Sequence, residues 1–288
     1  MANYTAQMVK ELRELTSAGM MDCKNALEEC KGELDKAVDW LRQKGLSKAA
    51  KKSGRATSEG VVALRVNDNN TCVAMVEVKC ETDFVTRGDK FQAFAKSVVE
   101  TVFNKKPADA TALADLTSTS LNEQIAIIGE NMTIGRFALW EMSTPGVIGA
   151  YIHSNGKIGV LVEIDCTKPE TAANPKLMEL ARNIAMQVAA VSPAALDAAS
   201  LDPALVERER EVYRQKTIEE GKPADRVEKI VDGRIQKFYK EACLMEQGYI
   251  RDDKVSIKDL VAAEAKALND TLTVKRFVRL QLGEDASA

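Results

Sequence analysis

A single histidine, His153, occurs among the 288 residues, so a site that needs two or three imidazoles, such as an H-E-x-x-H zinc centre, cannot be built from this chain. Neither G-x-x-x-x-G-K-[ST] nor G-x-G-x-x-G occurs, which removes the common glycine-rich cradles for nucleotide phosphates; Gly221-Lys222 runs into Pro223 and belongs to a turn. No G-x-S-x-G elbow offers a serine to His153. The six cysteines (Cys23, Cys30, Cys72, Cys80, Cys166, Cys243) form no C-x-x-C pair, and reduced, mostly buried thiols are expected. Charge of one sign is not in excess: 40 basic residues against 43 acidic ones leave a net charge of −3, without the broad attraction that non-specific nucleic-acid binding requires. No apolar run approaches a membrane span, and the N-terminus has neither an apolar signal core nor an Arg-rich transit segment. A cytoplasmic protein with no membrane partner and no direct nucleic-acid partner is expected.

At roughly 150 residues per domain, the length predicts about two domains. Residues 1–45 read as three short helices, with glycine stops at Gly19, Gly32 and Gly45 and caps at Thr5 for the first helix and Asp22 for the second. Met8, Val9, Leu12 and Leu15 face inward on the first, Cys23, Ala26, Leu27 and Cys30 on the second, and Leu34, Ala37, Val38 and Leu41 on the third. So small a unit has little core of its own and suits docking. Residues 46–59, rich in small and basic residues and lacking apolar periodicity, read as a basic flexible linker; without interleaved aromatics its lysines read as a solvated tether rather than a nucleic-acid arm.

From Gly60 the period becomes strand-like. Residues 60–142 read as a first core half: a hairpin of Val61–Val66 and Thr71–Cys80 about an Asn67–Asn70 turn, a helix with Phe91, Phe94, Ala95, Val98, Val99 and Val102 on one face, and a helix over Leu121–Gly129. Residues 143–282 read as a second half, opening with a hairpin over Val147–Cys166 around Ser154-Asn155-Gly156-Lys157. Val76-Glu-Val-Lys-Cys80 aligns with Val162-Glu-Ile-Asp-Cys166 at an offset of 86, and Phe91, Phe94, Ala95 and Val98 fall on Leu177, Leu180, Ala181 and Ile184. The fold class is therefore α+β, with two similar halves. Within the second half, residues 203–242 read as an inserted charged helical hairpin that turns at Gly221-Lys222-Pro223 and has Val227, Ile230, Val231, Ile235 and Phe238 as its seam. A last helix starts near Ser256 and Asp259, a strand over Leu272–Leu282 completes the second sheet, and residues 283–288 form a frayed tail.

Two places invite a functional reading. Thr82-Asp83-Phe84-Val85 puts a phenylalanine in a loop at the end of the first hairpin. Either Phe84 tucks under its own domain, or it protrudes as a wedge beside a carboxylate that competes for hydrogen-bond donors or disturbs a metal's water shell. His153, two residues before a hairpin tip, is either a plain exposed residue or a partner contact. The cysteines lie on strand or helix faces that suit core filling better than nucleophilic chemistry.

Thr82-Asp-Phe-Val85, preceded by Val-Lys-Cys-Glu and followed by Phe91-Gln-Ala-Phe94, resembles the signature loop of the bacterial elongation factor Ts family. Thr16-Ser-Ala-Gly-Met-Met-Asp-Cys-Lys24, Ile128-Gly-Glu-Asn131, Tyr151-Ile-His153, Gly156-Lys-Ile-Gly159, Glu220-Gly-Lys-Pro223 and Phe277-Val-Arg279 are similar to other family motifs. The resemblance covers essentially the whole chain. It implies a non-enzymatic nucleotide exchange factor for the GTPase elongation factor Tu, built from an N-terminal module like a ubiquitin-associated domain, a two-part core and the inserted hairpin. It further implies that Thr82, Asp83, Phe84 and Val85 enter the GTPase near its Mg²⁺ and phosphates, that His153 contacts the same domain, and that Met20, Met21 and Arg13 help dock the helical module. No cofactor of its own is implied; the Mg²⁺ and GDP are the partner's. A homodimer through the core or the helical hairpin stays open. Asn25, Lys79, Gly135, Asn183 and Gln187 depart from the residues usual in the family. A helical adaptor or chaperone-like binder without exchange activity is the competing reading, and a thiol-dependent enzyme a third.

Overall fold

The computed structural model describes residues 4–16, 18–153 and 156–284. The tip residues Ser154 and Asn155 and residues 285–288 of the expected tail lie outside the described residues.

Helices α1 (Ala6–Thr16), α2 (Met20–Glu29) and α3 (Leu34–Ala50) enclose a small core of Leu12, Cys23, Ala26, Leu27 and Ala37. Thr5 Oγ1 accepts from Met8 N at 3.3 Å, as a capping residue should. Asp22 is not a cap: it lies in the first turn of α2, behind Gly19, and pairs with Lys44 and Lys48 of α3. Leu15 does not face inward but is 67% exposed. Gly45 stops nothing. Of the three glycines only Gly32 takes the left-handed conformation, whereas α3 runs through Gly45 to Ala50, so residues 46–50 are helix rather than linker. The cause is tertiary: α3 packs on a core helix, where a Cβ at Gly45 would sit 3.3 Å from Ala126 Cβ, and Ala49 is buried.

The first core half contains β1 (Glu59–Val66), β2 (Cys72–Cys80), the single turn α4 (Asp83–Thr86), α5 (Asp89–Lys105), α6 (Ala110–Ile128) and β3 (Met132–Glu141), with antiparallel sheet order β1-β2-β3. The second contains β4 (Gly146–Ile152), β5 (Ile158–Cys166), the single turn α7 (Pro169–Ala172), α8 (Pro175–Val191), an antiparallel helix pair α9 (Pro203–Glu219) and α10 (Val227–Ala242), a short ribbon of β6 (Gly248–Tyr249) and β7 (Asp252–Ser256), α11 (Ile257–Ala267) and β8 (Leu272–Gln281), with sheet order β4-β5-β8. Mixed helix and antiparallel sheet bear out the α+β class.

The 86-residue repeat extends to backbone detail. The starts of β2 and β5, α4 and α7, and α5 and α8 are each offset by it. So are Gly60 and Gly146, where a Cβ would lie 2.2 Å from Val78 O and 2.3 Å from Ile164 O; no side chain fits either place. Glu77 and Glu163 share the offset too. Both are buried, and each is compensated by an arginine from its sheet's third strand at 2.6 Å, Arg136 and Arg276.

The two sheets face one another across Val62, Val73, Met75, Ile148, Leu161 and Leu280, while α5 and α8 cover their outer faces. Strands β2 and β5 are thus buried on both sides, which is why they read as near-continuous apolar runs. Strand β3, whose residues are mostly half-buried, has no counterpart among the expected elements, and α6 starts 11 residues before the expected Leu121. The segment from Ala110 is rich in Ser and Thr, which favour caps and turns, yet Asp109 caps it by accepting from Ala112 N.

Candidate functional site

Strand β2 ends at Cys80, and the chain then turns through Glu81 and the extended Thr82 into α4. The expected loop is therefore one helical turn, tied by Thr86 Oγ1 donating to Asp83 O and Gln92 Nε2 donating to Thr86 O, each at 2.6 Å. Within it the four residues diverge. Val85 packs against the core under α5, Asp83 is half-exposed and pairs with Arg87 at 2.9 Å, and Phe84 is 81% exposed. Phe84 does not tuck under its own domain. Fully burying such a side chain is worth about 1.5–3 kcal/mol, so its projection leaves apolar surface for a partner to cover.

Side chains remote in sequence fix the turn. Gly129 ends α6 in the left-handed conformation, and Glu130 immediately after it accepts from Glu81 N (3.1 Å) and Thr82 N (3.0 Å) on one oxygen and from Thr82 Oγ1 (2.6 Å) on the other. Glu81 in turn accepts from Asn131 N at 2.5 Å, and that hydrogen bond, reinforced by Arg55, holds its carboxyl below the usual range. Cys80 Sγ donates to Thr82 O at 3.3 Å; burial, with the Glu130 charge adding to it, pushes this thiol up to about 12. Burial likewise pushes Cys243 up to about 11, so neither suits a nucleophile. Glu130 and Asn131, within the Ile128-Gly-Glu-Asn131 motif, are thus site residues to which the sequence alone assigns no role. The available signal was a carboxylate and an amide directly after a helix-terminating glycine.

His153 is exposed, with Tyr151 Oη 3.3 Å from its Nδ1. Gly156 O accepts from Val62 N, which lays the second hairpin on β1. A cleft of about 400 Å³ separates α5 from this hairpin and is bordered by Ile152, Gly156 and the same Gln92 that holds the Phe84 turn. Gln92 of α5 thus touches both the turn that carries Phe84, through Thr86 O, and the cleft beside the hairpin that carries His153. Met20 (60% exposed), Met21 (64% exposed) and Arg13 instead lie on the N-terminal module, where Leu15 adds a further exposed apolar residue. That module packs on α6 above a cleft of about 340 Å³.

Gly135 and Lys79 are neighbours: a Cβ at Gly135 would lie 2.6 Å from Glu77 Oε2 and 2.9 Å from Lys79 Cε, so Lys79 and Gly135 suit one another. Gln187 is buried with its amide satisfied, donating to Gly248 O and accepting from Ile250 N. Among the described residues no group of three His, Cys, Asp or Glu is arranged to hold a metal, and no helix is long and apolar enough to cross a membrane.

The family model described as elongation factor TS matches residues 81–284. The chain is 60% identical over 286 residues to elongation factor Ts of Desulfovibrio desulfuricans, covering 99% of this chain and 100% of that one. It is 58% identical over 284 residues to elongation factor Ts of Nitratidesulfovibrio vulgaris strain DP4 (99% and 97% covered) and 46% identical over 291 residues to that of Clostridioides difficile (99% and 94%).

Proposed function

The chain belongs to the elongation factor Ts family, and from that premise we propose that it binds elongation factor Tu in its GDP form and promotes exchange of GDP for GTP. The observation that carries the finer reading is the projection of Phe84 from a turn whose backbone is clamped by Glu130. The turn enters the GTPase near its Mg²⁺ and phosphates. Phe84 occupies an apolar pocket there, and the Asp83 carboxylate displaces Mg²⁺ by competing for its water shell and ligands. His153 braces the same domain, while Met20, Met21 and Arg13 dock the helical module.

No bond is made or broken, so the protein changes a partner's kinetics rather than catalysing a reaction. A factor that loosens GDP must itself be loosened by GDP, through the same coupling free energy. For a nucleotide held near ~1 nM, about 12 kcal/mol, a thousandfold faster release needs about 4 kcal/mol. One buried phenyl ring supplies about 1.5–3 kcal/mol of that, leaving the remainder to lost Mg²⁺ contacts.

A second reading, a helical adaptor without exchange activity, draws on the exposed Leu15, Met20 and Met21. One measurement separates the two: release of a fluorescent GDP analogue from elongation factor Tu with wild type, Asp83→Ala and Phe84→Ala. Strong acceleration by wild type that Phe84→Ala loses supports the wedge. Folded wild type without acceleration removes the exchange reading and leaves the adaptor.

A further inference from the structure

The turn that carries Phe84 is tied within itself by Thr86 and Arg87, but its N-terminal end has no side-chain cap of its own. The Thr82 side chain, which would ordinarily cap α4, is engaged elsewhere: its hydroxyl donates to Glu130, whose carboxylate also takes the Glu81 and Thr82 amides. Asn131 then ties this clamp to the chain leaving α3. Its backbone N donates to the Glu81 carboxylate, and its Nδ2 donates to Arg55 O at 2.7 Å and Ser53 O at 3.5 Å. A continuous hydrogen-bonded path therefore runs from the end of the N-terminal module, through Asn131, Glu81 and Glu130, to the residue before Asp83.

The second half repeats the clamp. Asp270 accepts from Thr167 N (3.2 Å), Lys168 N (3.1 Å) and the Thr167 hydroxyl, and Cys166 Sγ donates to Lys168 O at the same 3.3 Å that separates Cys80 Sγ from Thr82 O. What differs is the cargo. The turn held by Asp270 is Pro169–Ala172, with Glu170 at the position that Phe84 occupies in the first half. The same anchoring chemistry is therefore present once with the aromatic ring and once without it, and the molecule supplies its own control.

We infer that Glu130 and Asn131 are positioning residues for nucleotide exchange: Glu130 sets the direction in which the Phe84 turn projects, and Asn131 locks that turn to the segment that follows the N-terminal module. The inference rests on the exchange reading above. A side chain that must enter a partner's site acts fastest when it is already oriented, because ordering a mobile turn during docking consumes interaction energy that otherwise drives displacement. Glu130 touches neither nucleotide nor Mg²⁺ in this scheme, so its effect falls on the maximal exchange rate and not on docking.

The test measures GDP release across a range of elongation factor Tu–GDP concentrations, which separates the maximal rate from the half-saturating concentration. The proteins are wild type, Phe84→Ala, Glu130→Ala, Glu130→Gln, Asn131→Ala and Asp270→Ala, each checked by thermal melting. Glu130→Ala is expected to lower the maximal rate roughly ten- to a hundredfold, with the half-saturating concentration within about threefold of wild type. Glu130→Gln keeps an oxygen for the two amides and is expected to restore most of the rate. Asn131→Ala is expected to lower it about threefold or more. Asp270→Ala loses the equivalent clamp yet is expected to retain the wild-type maximal rate.

Equal losses in Glu130→Ala and Asp270→Ala, or no loss in Glu130→Ala, overturn the positioning role while leaving the exchange reading intact, since wild type still accelerates release and Phe84→Ala does not. A Glu130→Gln rate as low as that of Glu130→Ala overturns it too. If Glu130→Ala does not fold, Asn131→Ala decides, and an unchanged maximal rate there counts against the inference. Wild type without any acceleration is a different pattern, one that removes the exchange reading and this inference with it.

Discussion

Phe84 and Glu170 are equivalent residues: each is the second residue of a one-turn helix that follows the central strand of its sheet, one in each half of the core. The two turns start at the same repeat offset, lead into equivalent helices, and the two backbone amides before each are held by one carboxylate, Glu130 or Asp270. Only one exposes an aromatic ring. Two halves that share a scaffold have thus diverged at a surface position where neither residue contributes to the core, and the fold constrains such positions least.

Because Phe84 makes so little contact with its own chain, Phe84→Ala is expected to leave unfolding free energy within about 0.5 kcal/mol of wild type. Urea titration checks this. Combined with a lost exchange rate, unchanged stability assigns the ring to partner contact; a loss above about 2 kcal/mol would assign it to the core instead.

Arg136 compensates the buried Glu77 carboxylate and also donates to Gln281 O, which joins β3 to β8 across the two halves. Arg136→Met leaves that carboxylate with Lys79 at 3.9 Å as its nearest remaining cation. Breaking a buried pair from one side typically costs about 3–5 kcal/mol, and a loss at the lower end is expected here because Lys79 remains. The double change Glu77→Met with Arg136→Met should recover part of it. Denaturant unfolding of the four proteins in a double-mutant cycle measures both effects.

Burial alone would raise the Asp270 carboxyl, but hydrogen bonds from Thr167, Thr171 and Thr271 outweigh it and hold the group below its ordinary value of 3.8. A carboxylate depressed in the folded state contributes stability that is present above the unfolded value and lost as pH falls through the folded one. Asp270→Asn should therefore unfold at lower urea than wild type at pH 7, with the difference shrinking progressively below pH 3.8. A difference that is the same at pH 7 and pH 3 would show that the charge plays no part in the clamp.

The close approach of Gly45 to Ala126 sets how α3 meets α6. Gly45→Leu should overpack that contact and cost about 1–3 kcal/mol. It should also free residues 46–58 from the core, seen as faster proteolytic cleavage there while the strands keep their amide protection. Cleavage no faster than in wild type would mean that α3 is held by its own helical propensity.

The amino-acid sequence by itself determined the kinds of element and their repetition. Val76–Cys80 and Val162–Cys166 announce buried strands, and Phe91, Phe94 and Val98 beside Leu177, Leu180 and Ile184 announce one helix face used twice, because each residue's burial is dictated by the period of its own element. The Phe84 motif was likewise legible, but its direction was not. Only the tertiary structure decided that the ring points outward, that α3 continues past Gly45, that the half-buried segment from Met132 pairs with β2, and that Glu130 grips the Phe84 turn. Such features depend on partners far away in the chain, 48 to 50 residues off in the case of the clamp, and a hydrogen bond between groups so far apart leaves no periodic trace in either segment.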